Sequence, residues 1–143
     1  MAEIFACSFT ATELDARSGI SAVMERLREI DLPDERAGDV QIALAEAVNN
    51  VVEHAYAGTE KGDVRIKCNL YPQELRIQIC DAGFPLTDCA LPPGEPADLS
   101  GPIETLPEGG FGWFLIRELT SRLHYERLGR NNRLSLYFQV PPT

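Results

Sequence analysis

The sequence predicts a two-layer α+β sandwich: a mixed, mainly antiparallel sheet covered on one face by about three helices. Three observations carry that prediction. The periodicities run strand, helix, helix, strands, helix, strands, which is not the regular alternation of a doubly wound parallel sheet. The alternating apolar runs come in neighbouring pairs joined by short turns, as antiparallel strands do. The 143 residues, 44% hydrophobic and 24% charged, suffice for one core and one domain, 1–143.

Taken in order, Phe5, Cys7 and Phe9 alternate with Ala6 and Ser8 and predict a short, half-buried edge strand. From Glu13 to Ile30 the apolar residues Ile20, Val23, Leu27 and Ile30 recur at helical spacing, with Arg17, Glu25, Arg26 and Arg28 between them. Pro33 breaks that helix, and Asp34 is placed to cap a second one running from about Glu35 to Tyr56. Val64, Ile66, Cys68 and Leu70, then Leu75, Ile77 and Ile79, form a predicted hairpin through Tyr71-Pro72-Gln73-Glu74. Between Phe84 and Glu108 lie six prolines, no Lys or Arg and no period of either kind, the pattern of a long binding loop. Gly109-Gly110-Phe111-Gly112 closes that loop and opens a third helix, Trp113 to Thr120. Two last strands, His124–Leu128 and Leu134–Val140, are expected to meet at Gly129-Arg130-Asn131-Asn132.

With 22 acidic and 13 basic residues the chain carries a net charge of −9, which repels phosphate backbones and anionic lipid. No basic stripe is visible along the sequence, so neither a nucleic acid nor a membrane is an expected partner. There is no apolar run of the ~20 residues a span requires and no basic segment ahead of an apolar stretch at Met1-Ala2-Glu3, so a cytoplasmic location is expected. Cys7, Cys68, Cys80 and Cys89 form no CxxC pair and stand at no metal-ligand spacing from a histidine. They read as free thiols packed in the core.

The chemistry concentrates in the second helix. Val40, Leu44, Val48, Val51 and Ala55 form its apolar stripe, and Glu46, Asn49, Asn50, Glu53 and His54 a polar band opposite. A solvated face is the ordinary explanation of such a band. Two asparagines in tandem in mid-helix are nonetheless costly, because their amides compete for backbone hydrogen bonds. A carboxylate and an amide one turn apart, Glu46 and Asn50, can hold a hard divalent cation and position a nucleophile beside it. Asp81-Ala82-Gly83 ends the second hairpin strand where sheet gives way to loop. Gly83 there answers a positive φ, the close approach of a flat ligand, or a plain strand-ending turn. The glycines before the third helix leave unpaired N–H groups at a positive dipole end, a place suited to phosphate.

Together, Glu46-Ala47-Val48-Asn49-Asn50 on a helix, Asp81-x-Gly83 after a strand and Gly110-x-Gly112 opening a helix resemble the N, G1 and G2 boxes of the GHKL (Bergerat-fold) ATPases. Within that superfamily, His54-Ala55-Tyr56 and Gly109-Gly110-Phe111-Gly112-Trp113-Phe114-Leu115-Ile116 are most similar to the small anti-sigma-factor serine kinases. The likeness extends from about Phe5 to Val140. It implies a Bergerat-type sandwich with an ATP lid at about 84–108. The implied activity is transfer of the γ-phosphoryl group of Mg-ATP to a Ser or Thr of an antagonist (anti-anti-sigma) protein. By partner switching, that transfer controls the release of a bound sigma factor, with a homodimer as one possible assembly. Carried over by position, Glu46 is the general base, Asn50 the Mg²⁺ ligand, Asp81 the acceptor of the adenine amino group, Gly83 the point of close approach, and Gly110 and Gly112 the triphosphate lining.

The sequence departs from that family in three places. Its lid carries no cation, which leaves Arg17 on the first helix as the candidate to face the phosphates. A threonine common in the family at the start of the last strand is replaced by the stretch Asn132-Arg133-Leu134, and Phe111 and Trp113 are bulky for a glycine box. A different class of function, a nucleotide-dependent module that sequesters a regulatory partner without phosphorylating it, would have no use for Glu46. The ATP-binding domain of a histidine kinase would follow a dimerisation helix with a phosphoacceptor histidine, and a topoisomerase or chaperone ATPase would need further domains.

Overall fold

A computed structural model describes residues 3–86, 89–92 and 110–141. The elements in chain order are β1 (Glu3–Thr10), α1 (Glu13–Glu29), α2 (Asp34–Asn50) and a π-helical turn (Val51–Ala55), then β2 (Asp63–Tyr71) and β3 (Glu74–Asp81). After these come α3 (Gly110–Leu119), β4 (Arg122–Leu128) and β5 (Asn131–Gln139). The sheet order is β1-β2-β3-β5-β4, which leaves β1 on an edge as its half-buried alternation predicts. Every pairing is antiparallel, so the α+β sandwich is the predicted one with no parallel pair in its described sheet.

All three helices lie on one face. Val40, Leu44 and Val48 of α2 and Val23, Met24 and Leu27 of α1 are buried against Ile66, Ile77, Ile79, Leu136 and Phe138 of the sheet. Alternation does this work, since β2 and β3 each bury every second residue beneath the helices. No described element covers the other face.

Several boundaries differ from expectation, each for a local reason. Asp34 does not cap α2; it is the first helical residue, and the extended Pro33 occupies the cap with no side-chain bond. Asp34 and Glu35 therefore act as first-turn acids at the positive helix end. The second helix is not α-helical to Tyr56: beyond Asn50 it widens into the π-turn. Such single turns are frequent at functional sites, and here the Ala55 carbonyl at its end accepts the N–H of Phe84 at 2.6 Å. The end of the helix is thereby tied to the exit of β3. α3 begins at Gly110, not Trp113, so Gly110 and Gly112 form its first turn. Asn132, expected in a turn, is a strand residue buried in β5 opposite Asp81 and Arg127. The turn itself is tight because Gly129 takes a φ of 64°. Most of the lid expected at 84–108, together with Gly109 and the Phe111 side chain, lies outside the described residues.

Candidate functional site

A cavity of about 490 Å³, counting its open mouth, lies between the C-terminal end of α2 with its π-turn, the ends of β3 and β5, and α3. Asn50 and His54 line it from the helix, Asp81 and Asn132 from the sheet, Trp113 from α3 and Tyr125 from β4. Val51, Ala55, Ile79 and Leu134 supply apolar wall. The site therefore sits on the seam where the apolar stripe of the second helix meets its polar band.

Its floor is one cross-strand row, Asp81–Asn132–Arg127. Asp81 Oδ1 accepts the Gly83 N–H at 2.8 Å and the Asn132 amide at 2.8 Å, while no described residue donates to Oδ2. The Asn132 amide nitrogen also donates to the Phe84 carbonyl at 2.9 Å. Its Oδ1 accepts the Tyr125 hydroxyl at 2.6 Å and Arg127 at 3.0 Å. Asn132 is thus fully occupied in aiming Asp81, and Arg127 closes the ring by donating to the Gly83 carbonyl at 2.6 Å. Burial pushes the Asp81 carboxyl up from its ordinary pKa, against the opposing pull of Asn132, the Gly83 N–H and Arg127. A desolvated carboxylate with one oxygen unpartnered among the described residues, at the base of an apolar cavity, can accept a ligand's N–H.

Gly83 has no positive φ. A Cβ there would stand 2.8 Å from the Ala55 Cβ and 2.5 Å from the Ala55 carbonyl carbon, with the carbonyl oxygen closer still. The position is glycine because two backbones meet, which corrects the positive-φ alternative. Gly83→Ala is therefore expected to destabilise the fold by about 1–3 kcal/mol, read as a lower midpoint in denaturant unfolding. A Cβ on Gly112 would meet only the end of the Glu46 side chain, with Oε2 at 2.8 Å, so Gly112→Ala should unfold near the wild-type midpoint. Equal midpoints for Gly83→Ala and wild type would refute the backbone-contact explanation.

That Gly112 contact also places Glu46. Its carboxylate abuts the first turn of α3, beside the cavity but not in its wall. Asn50 is in the wall, and its Nδ2 is sealed from solvent with no hydrogen-bond partner among the described residues. That NH₂ is a donor and cannot hold a cation, though it can donate to a phosphate oxygen. A Mg²⁺ here would take the Asn50 Oδ1 together with phosphate oxygens, and there is no cluster of three or more His, Cys, Asp or Glu among the described residues. Gly110 opens α3, where unpaired N–H groups are expected. Arg17 is not brought to the cavity: its side chain is 76% exposed and lies 3.9 Å from Glu13. His54 reaches the rim, 67% exposed beside Glu53.

Sequence reasoning missed Tyr125 and Arg127, and noted Asn132 only as standing near the place of a family threonine, not as the partner of Asp81. Their signal was the register of the last hairpin, since a turn of only Gly129-Arg130 puts all three on the helix-facing side of the sheet.

The cavity and its carboxylate can be set beside known proteins. Residues 9–138 match the histidine kinase-like ATPase domain. The serine-protein kinase RsbW of Oceanobacillus iheyensis is 37% identical over 106 residues, 73% of this chain and 65% of that protein. RsbW of Bacillus thuringiensis is 40% identical over 83 residues, 57% of this chain and 51% of that one. The matches thus span one half to just under two thirds of these relatives. Among solved structures, the RsbU and RsbW domains of a Mycobacterium tuberculosis protein superpose with a TM-score of 0.67 at 20% identity, over 98% of this chain and 34% of that one. The histidine kinase domain of the Erythrobacter litoralis blue-light activated histidine kinase does so at 0.57 and 16%, over 87% and 61%. The solved structures share the fold. A match running from β1 into β5 and spanning every element that builds the cavity makes the chain a member of the histidine kinase-like ATPase domain family.

Proposed function

We propose that the chain binds Mg-ATP in this cavity and transfers its γ-phosphoryl group to a Ser or Thr of a partner protein, as an anti-sigma-factor type kinase. The observation that carries this reading is the free Oδ2 of buried Asp81 at the cavity floor, an acceptor matched to the adenine amino group. The serine-protein kinase name of the relatives supports the phosphoacceptor class. The expected partners are an antagonist protein that takes the phosphate and a sigma factor released or held accordingly.

In this reading Asp81 selects the base, Gly83 keeps the backbone low beneath it, and the N–H groups of Gly110 and Gly112 face the phosphates. Asn50 holds Mg²⁺, which when bound screens the phosphate charge. Glu46 takes the proton of the incoming hydroxyl as its oxygen bonds to the γ-phosphorus and the bond to the β,γ-bridging oxygen breaks, so that ADP leaves.

Trp113, the only tryptophan, lines the cavity, so its emission reports nucleotide binding. Titration with Mg-ATP should shift that emission saturably, and incubation with γ-labelled ATP and a captured partner should label a partner serine or threonine. A flat titration with no calorimetric heat refutes the reading. Saturable binding with a stable partner complex that is never labelled favours the nucleotide-gated binding module. Asn50→Ala separates metal from nucleotide: it should weaken Mg-ATP about tenfold or more and metal-free ADP much less, since an interaction with a charged group is worth about 1.5–3 kcal/mol. Equal losses for both would make Asn50 a structural residue.

A further inference from the structure

Strand alternation sorts charge in a way the overall composition conceals. On the face of the sheet away from the helices the cross-strand rows are Ser8–Arg65–Cys80–Arg133–Glu126, Ala6–Lys67–Gln78–Ser135–His124 and Ile4–Asn69–Arg76–Tyr137–Arg122. Among the described residues five of the chain's 13 Lys and Arg residues project here, Arg65, Lys67, Arg76, Arg122 and Arg133, against three acids, Asp63, Glu74 and Glu126. The described residues of this face are therefore net positive in a chain of net charge −9. The expectation of no basic stripe, drawn from the linear sequence, is corrected by the register.

Two of the five cations are neutralised. Arg122 pairs with Glu74 at 3.7 Å, and Arg133 with Glu126. Arg65, Lys67 and Arg76 have no acidic partner among the described residues. Arg76 donates to the Asn69 side chain at 3.2 Å, and its Nε is enclosed without an acceptor. On the β1 side of Arg65 and Lys67 stand only Ser8 and Ala6, so two long cations border a shelf of small side chains that a partner can approach closely. At the far side Arg122 stacks on Tyr137, 3.9 Å from the ring centroid, and Tyr71 is exposed at the end of β2. Arg and Tyr are the residue types enriched in protein interfaces.

We propose that this face, which no described element covers, docks an acidic protein partner, one whose carboxylates engage Arg65, Lys67 and Arg76. Uncompensated cations on adjacent strands repel one another, and a facing carboxylate removes that repulsion while satisfying the guanidinium forks. A compact acidic segment fits better than a nucleic acid, because a longer polyanion would run off the patch onto surface more negative than the chain average. The inference stands apart from the nucleotide reading, since Asp81 projects to the helix side of β3 and its neighbour Cys80 to this one.

The test uses the full chain and a fluorescein-labelled peptide of repeating Glu-Glu-Leu, with Gln-Gln-Leu and duplex DNA as comparisons. Fluorescence anisotropy should show binding of the acidic peptide that weakens with added salt and no binding of the Gln peptide. Arg65→Glu with Lys67→Glu should lower that affinity about tenfold or more, and Arg65→Gln with Lys67→Gln by an intermediate factor. Both positions are exposed and have no acidic partner among the described residues, so the variants should melt as the wild type does, and the Gln pair keeps the test open if the Glu pair fails to fold. Nucleotide titration of Trp113 should be unchanged. The proposal is overturned if the acidic peptide fails to bind, if the folded charge variants bind it as the wild type does, or if DNA binds more tightly than the peptide and loses that binding in the variants, which would give the face to nucleic acid.

Discussion

Glu46→Gln is expected to lower phosphotransfer to a bound partner by about 10² to 10⁴, the usual contribution of a positioned general base, while Mg-ATP still shifts the emission of Trp113. Gln keeps the size of Glu and can still hydrogen-bond, but it cannot take the proton of an incoming hydroxyl. The location makes this a clean experiment. Glu46 lies beside Gly112 at the start of α3 and outside the wall of the cavity, so nucleotide contacts need not change. It is not in the buried core, so the fold should tolerate the amide, which circular dichroism can verify. Labelling at the wild-type rate by Glu46→Gln would remove Glu46 as the base and move the search to another acceptor near the first turn of α3. Loss of nucleotide binding together with labelling would instead make Glu46 part of the phosphate site.

Glu46 also marks how far the sequence could be read. Its spacing from Asn50, the Asp81-x-Gly83 strand end and the glycines of α3 were all visible as local patterns, and local patterns are what helical and strand periodicities preserve. The edge strand, the two hairpins and the single helical layer followed from the same periodicities, whereas the pairing of β3 with β5 did not. What stayed hidden depended on tertiary register. Asn132 looked like a turn residue because Gly129-Arg130-Asn131-Asn132 is uniformly turn-like, and only the pairing of Asp81 with Asn132 shows it to be the residue that aims the carboxylate. The structural reason for Gly83 was not among the explanations its sequence offered, because it required knowing that the Ala55 backbone, far away in sequence, packs against it. The π-turn was likewise illegible: Val51, Val52, His54 and Ala55 fit an α-helical wheel, and the widening shows only where the Ala55 carbonyl leaves the helix for Phe84.

Asp81→Asn should separate stability from recognition. The Asp81 carboxyl has its pKa raised in the folded state, with desolvation the leading cause. A group raised in this way contributes fully to stability below its unfolded pKa, near 3.8, and that contribution is lost as pH rises through the folded value. At neutral pH the ionised side chain is therefore a burden on the fold. The amide keeps an oxygen for the Gly83 N–H and the Asn132 amide and carries no charge. Asp81→Asn should accordingly melt above the wild type at pH 7, with the difference shrinking toward pH 4 as Asp81 protonates. Binding should move the other way. Wild type should prefer ATP to GTP by about 10⁴, because guanine would set a carbonyl oxygen against the free Oδ2, and a mismatched buried polar contact costs on that order. The Asn side chain can turn its NH₂ toward a carbonyl, so ATP should bind about tenfold to a hundredfold more weakly and the preference over GTP should narrow. Calorimetric titration of both nucleotides beside thermal melts across that pH range reads all of these effects. Equal affinity of the wild type for ATP and GTP would refute Asp81 as the adenine acceptor, and a lower melting temperature for Asp81→Asn at pH 7 would show that the ionised carboxylate stabilises the floor of the cavity instead of burdening it.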